Sequence, residues 1–222
     1  MLKFKIWFSK LFCKEHVLYS KLLKMLLKTT VFNDFSDFDN FKDRILKEDL
    51  RFDSELVKED KYIPDMEESE SDYVNPKIEE AYYGHESYKK EMFKALFILF
   101  YSEIEIKLKR ILSTYDWSFR IGKKRISSFN FQNIIKAFKK LFEVNIKGIE
   151  NFSDFDELRL LNNCLKHGVF VNRKLQGRNP DRWHKGNPID LTKDDLERLL
   201  TKSKEFYKNL LDELKKKLAE NQ

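Results

Sequence analysis

An all-α fold is predicted by three features of this sequence. Gly and Pro are scarce, at 6 and 4 of 222 residues, so the chain lacks the punctuation that sandwiches and barrels need. Apolar residues recur at steps of three and four through several long segments, and helix-start and helix-stop residues bracket those segments. The 20 Phe and 9 Tyr supply enough large apolar surface for one principal core, which argues against a disordered chain.

Residues 2–28 read as the first helix. Lys3, Lys10, Lys14, Lys21 and Lys28 fall within about 40° of one another on a helical wheel. Phe4, Phe8, Leu11, Phe12, Leu22 and Leu26 cover the opposite side. Such a face either packs on the protein's own core or meets a membrane surface or nucleic acid. A short helix is expected over about Phe38 to Leu50. Residues 1–52 thus form an N-terminal amphipathic helical extension.

Residues 53–83 are expected to be an acidic linker or long loop. Between 53 and 80 there are eleven Asp or Glu against three Lys, and Pro64 and Pro76 interrupt any periodicity. That stretch carries −8, so the remainder of a chain whose formal net charge is +6 carries about +14. The acidic run is read as a solvated loop, with mimicry of a polyanion as its functional alternative.

A four-helix bundle is predicted for 84–222. Phe93, Leu96, Phe97, Phe100, Ile104, Leu108 and Ile111 define a buried face on a long helix over 87–113. A second helix should run from Asn130 to Glu143. The third is expected to start at Ser153, with Asp156 as its capping-box partner, and to stop at Gly168 in a left-handed turn. After a loop of about 20 residues, the last helix should open at Thr192 with Asp195 three positions on.

Several functions are excluded or disfavoured. No phosphate-cradling glycine loop or serine-nucleophile elbow is present, which argues against NTP hydrolysis and acyl transfer. No cofactor or metal is expected, because Cys13, Cys164, His16, His85 and His184 lack partners at ligand spacing. With no signal-type apolar core or spanning segment read in the sequence, a cytoplasmic location is expected. Glu103 and Glu105 point to different sides of their helix, which is unsuited to paired-carboxylate catalysis, although Glu103 can still contact the third helix.

The chemistry-bearing residues cluster on that third helix. With Arg159 as zero, Asn163 lies at about 40°, His167 at about 80° and Lys166 at about 340°, opposite Leu158, Leu161 and Leu165. Asn162, at about 300°, borders the apolar side and faces a groove or an interface. Downstream come Arg173, Lys174, Arg178, Arg182, Trp183, His184 and Lys185 against the single acid Asp181. Arg and Lys can neutralise phosphate, Trp can stack on a base, and His167 can exchange protons near neutral pH. The combination suits RNA, whose 2′-hydroxyl is an internal nucleophile. The plainer reading of His167 is a charge at the helix C-terminus.

The segment Phe155-Asp156-Glu157-Leu158-Arg159-Leu160-Leu161-Asn162-Asn163-Cys164-Leu165-Lys166-His167-Gly168 resembles the signature helix of HEPN domains. These are small helical bundles of bacterial toxins, phage-defence proteins and CRISPR-associated ribonucleases, whose motif reads R-N-x-x-x-H. A weaker likeness extends over residues 86–215. The resemblance implies a homodimer that acts on RNA as a metal-independent endoribonuclease, in the setting of antiviral defence or of a toxin with an antitoxin-like protein partner. His167 would carry the proton, Asn163 would position, and Arg159 with Lys166 would meet phosphate. Asn162 stands where the motif has arginine, so Arg159, one turn earlier, is the cation available in its place. That departure sets up the alternative: a catalytically inactive module that binds RNA or protein through the same face.

Overall fold

The computed structural model describes residues 35–47 and 68–220. The lysine-striped segment 2–28 lies outside these residues. Helix α1 occupies 36–47 and α2 runs over Glu68–Tyr115. A short antiparallel hairpin follows, with β1 at Arg120–Ile121 and β2 at Lys124–Arg125. Helix α3 spans Phe131–Phe142, α4 Phe152–His167, α5 Arg173–Arg178 and α6 Lys193–Glu220. The described chain is therefore mostly helical.

Helix α4 lies against α2, α5 and α6, while α3 packs on α2 and α6. Aromatic rings from four helices meet at the centre. Phe155 on α4 stacks on Phe206 of α6 at 4.5 Å and lies 5.4 Å from Phe131 of α3 and 5.9 Å from Tyr101 of α2. Phe35, just before α1, adds edge contacts to Phe100 and Tyr207, so 35–47 belongs to the same core. The predicted apolar stripe of α2 is fully buried at Leu96, Phe97, Phe100, Ile104, Leu108 and Ile111. Burying side chains of this size stabilises the fold by about 1.5–3 kcal/mol each before entropy is charged against it.

Local signals set most helix ends. Asn130 accepts the Asn133 backbone N–H at 3.0 Å and opens α3. At α6, the Thr192 hydroxyl accepts the Asp195 N–H at 3.1 Å while the Asp195 carboxylate accepts the Thr192 N–H at 3.1 Å, a reciprocal capping box.

Three expectations need correction. The acidic segment is helical from Glu68 onward, continuous with the packed part of α2. Apolar periodicity reports burial rather than backbone conformation, and Glu and Lys are good helix formers without it. Helix α4 starts at Phe152, with Asn151 left-handed at φ 61° and no capping box at Ser153. The 3-10 turn Ile146–Gly148 feeds straight into it, and Phe152 is drawn toward Phe131 and Phe206. Helix α4 does end before Gly168, but the left-handed residue is Val169, at φ 54°. Val169 donates to the Cys164 carbonyl at 2.9 Å and accepts from the Ile189 N–H at 2.9 Å, so tertiary pairing imposes its conformation.

The predicted 20-residue loop is also more ordered than expected, since it contains α5 and a bridge between Phe170 and Pro188. Among the described residues, no helix is long and apolar enough to cross a membrane.

Candidate functional site: a basic groove beside helix α4

The outer side of α4, the C-terminal part of α2 and the segment leading into α3 enclose a groove of about 540 Å³. Arg159, Asn162, Asn163, Lys166 and His167 all line it. The residues that the helical spacing groups on one side thus share one concavity. The helical wheel brings them to one side of α4, and packing against α2 supplies the opposite wall with Tyr101, Glu105 and Lys109.

His167 is exposed, as are Asn163 and Lys166. Its ring therefore opens to solvent within the groove. Arg159 is partly buried: its Nε donates to the Asp156 carboxylate at 2.8 Å, and its guanidinium sits 5.4 Å from the Phe131 ring. Fixing Nε in this way orients the planar fork of a side chain that lines the groove. Asn162 is only 2% exposed, and its Oδ1 has no hydrogen-bond partner. A buried unpaired carbonyl costs about 1–3 kcal/mol, so this amide is a destabilised element of the groove wall.

Tyr101 sits at the base of the groove. Burial, followed by the neighbouring Glu105 carboxylate, pushes its phenol well above the ordinary value, so it remains a proton-bearing donor. Glu105 also pairs with Lys109 at 2.6 Å. Glu103, for which contact with the third helix was an open option, lies on the other side of α2, 3.4 Å from Lys107 and lining a separate cleft with Asp37 and Phe38. The two-residue offset predicted opposite sides correctly, but the carboxylate facing α4 is Glu105.

The loop cations and Trp183 require the largest correction. Trp183 is 1% exposed, and its Nε1 donates to Glu157 at 2.8 Å, so its face is unavailable for a base. Arg182 forks onto Asp195 at 3.0 and 3.1 Å through Nε, also reaches the Asp190 carbonyl, and lies 4.3 Å over the Trp183 ring. Arg178 pairs with Asp156. These residues fasten α5 and its loop to α4 and α6. Arg173, Lys174, His184 and Lys185 are exposed but do not line the groove.

The sequence offered Asp156 and Asp195 only as capping-box residues, and the part that they and Glu157 play in holding the loop cations was missed. Glu157, 3% exposed, receives the Arg198 guanidinium at 2.6 Å in addition to Trp183. Burial alone would raise the Asp195 carboxyl, but hydrogen bonds from Arg182 and Thr192 outweigh it and hold the carboxyl below its usual value. The only sequence signal for Glu157 was the run of acids Asp154, Asp156 and Glu157 on the helix that carries the basic residues.

Together these features define a mostly helical protein of the all-α class with a partly basic, imidazole-bearing groove. Comparison with protein-family models, with curated proteins and with solved structures finds no match.

Proposed function

We propose that the protein is a HEPN-like RNA-directed protein and that its groove takes the sugar-phosphate chain for metal-independent cleavage. The observation that carries this reading is the convergence of exposed His167 with Asn163, Lys166 and Arg159 in one groove. Arg159 and Lys166 offset phosphate charge, and Asn163 can orient the ribose or phosphate by hydrogen bonding. His167 takes the proton from the 2′-hydroxyl, whose oxygen attacks phosphorus. The bond from phosphorus to the 5′ oxygen breaks, leaving a 2′,3′-cyclic phosphate and a 5′-hydroxyl. In-line attack puts the leaving oxygen opposite the nucleophile, and the partner subunit's His167 supplies its proton in the homodimer that the resemblance implies.

The second reading, a non-catalytic RNA- or protein-binding module, is favoured by Asn162 in the motif's arginine position and by the ion pair that partly neutralises Arg159. Purified protein incubated with single-stranded RNA in chelator, beside His167→Ala, separates the two. Cleavage lost in the variant supports the enzyme; intact RNA in both, with salt-sensitive binding, supports the module; salt-independent association argues against RNA. A toxin or phage-defence role rests on the resemblance. Growth arrest on expression that disappears with His167→Ala is its test, and rescue by a co-expressed neighbouring protein would identify an antitoxin partner.

A further inference from the structure

A second cavity, of about 500 Å³, adjoins the His167 groove. It shares the lining residues Lys109 and Ser127 with the groove and extends to Arg110, Trp117, Arg120 and Arg125. Sequence reading did not single out this region, because its cations come from the end of α2 and from both strands of the hairpin. Three observations make it unlike an ordinary solvated surface.

Arg120 and Arg125 are directly opposed in the antiparallel register, and both are exposed. Like charges at opposed positions repel. No carboxylate forms an ion pair with either among the described residues, and Lys123 at the turn and Lys124 on β2 add further positive charge. Trp117 is 68% exposed immediately before the hairpin, and Ile106 is 56% exposed on the adjoining α2 face. Large apolar groups thus stand in water between cations. The cavity is also continuous with the groove through Lys109 and Ser127.

An exposed indole among unpaired guanidinium groups suits a single-stranded polynucleotide, which presents bases to stack and phosphates to neutralise. An acidic peptide would satisfy the arginines but has little use for an indole face. We infer that the cavity formed by Trp117, Arg110, Arg120 and Arg125 is an extension site for single-stranded RNA, receiving the strand as it leaves the His167 groove over Lys109 and Ser127. Trp117 stacks on a base beside Ile106, and the opposed arginines each take a phosphate. This inference rests on the RNA reading of the groove and adds to it a strand path and a length requirement.

The test uses the full chain and 2′-O-methyl oligoribonucleotides, which lack the internal nucleophile and stay intact. Fluorescence anisotropy is read for a short oligonucleotide that fills only the groove and for a longer one that reaches the hairpin. Trp117→Ala should weaken the longer strand about tenfold, the loss expected from one stacked base, while leaving the short strand unchanged. Arg120→Gln with Arg125→Gln should lower the slope of log affinity against log salt by about 1.4 for the longer strand alone, as expected for two lost phosphate contacts. All these side chains are exposed, so circular dichroism should match the parent protein. If the parent binds both strands and Trp117→Ala binds the longer one equally well, the extension site is refuted while the groove reading stands. Failure of the parent to bind either strand refutes both. If polyglutamate displaces the longer strand as effectively as unlabelled RNA, the cavity is a protein-docking site and the RNA assignment fails.

Discussion

The indole Nε1 of Trp183 donates a 2.8 Å hydrogen bond to the carboxylate of Glu157, and both residues are almost completely buried. That contact joins the loop after α5 to the middle of α4, one turn from the groove residues. Glu157 also holds Arg198 of α6, so a single carboxylate ties three parts of the chain together.

Trp183→Phe should therefore act on stability. It removes a donor from a buried carboxylate, at a cost of about 1–3 kcal/mol. Denaturant midpoints should fall, while RNA affinity of the folded fraction stays unchanged. A loss of affinity without a loss of stability would restore the stacking role suggested by the sequence.

Acid should weaken the start of α6. The folded Asp195 carboxyl titrates below its unfolded value, so its contribution is present above the unfolded pKa of about 3.9 and is lost as pH falls through the lower folded value. Asp195→Asn should lie below the parent in thermal midpoint at neutral pH, and the two curves should converge as pH drops below the ordinary carboxylate range. Thr192→Ala, which removes the other half of the capping box, should cost about 0.5–2 kcal/mol at neutral pH.

Asn162→Leu should not destabilise the protein as an ordinary loss of a buried amide would. Oδ1 has no partner to lose, and replacing an unsatisfied polar group with an apolar one of similar shape is near neutral or stabilising. Differential scanning calorimetry showing an unchanged or higher midpoint is the expected result. A fall of several degrees would mean that this amide has a partner in the assembled protein.

Val169→Gly should stabilise the protein by about 0.5–1 kcal/mol. A β-branched residue in the left-handed region carries roughly 1–2 kcal/mol of strain, against which glycine's extra unfolded-state entropy of about 0.5–1 kcal/mol is set. Urea midpoints would register the gain. An unchanged value would place the strain elsewhere in the turn.

How far the sequence could be read follows the range of the interactions. The start of α6 at Thr192 was legible because a capping box is complete within four residues. The gathering of Arg159, Asn163, Lys166 and His167 was legible because the helical repeat alone places them on one side. The helical state of 68–83 was not, since its composition carries no apolar stripe from which a helix can be recognised. Val169 could not be anticipated either, because its backbone is held by Ile189, twenty residues away.

By itself, then, the sequence determined the helical class, most boundaries of the packed helices, and the membership of the α4 polar face. These depend on periodicity and on hydrogen bonds between near neighbours. Only the tertiary structure decided which cations are occupied and which are open to a ligand. Arg178 meets Asp156 across 22 residues and Arg182 meets Asp195 across 13, whereas Arg120 and Arg125 face each other with no acid between them. Charge in a sequence is a count, but electrostatic attraction depends on distance and burial, and those exist only once the chain has folded.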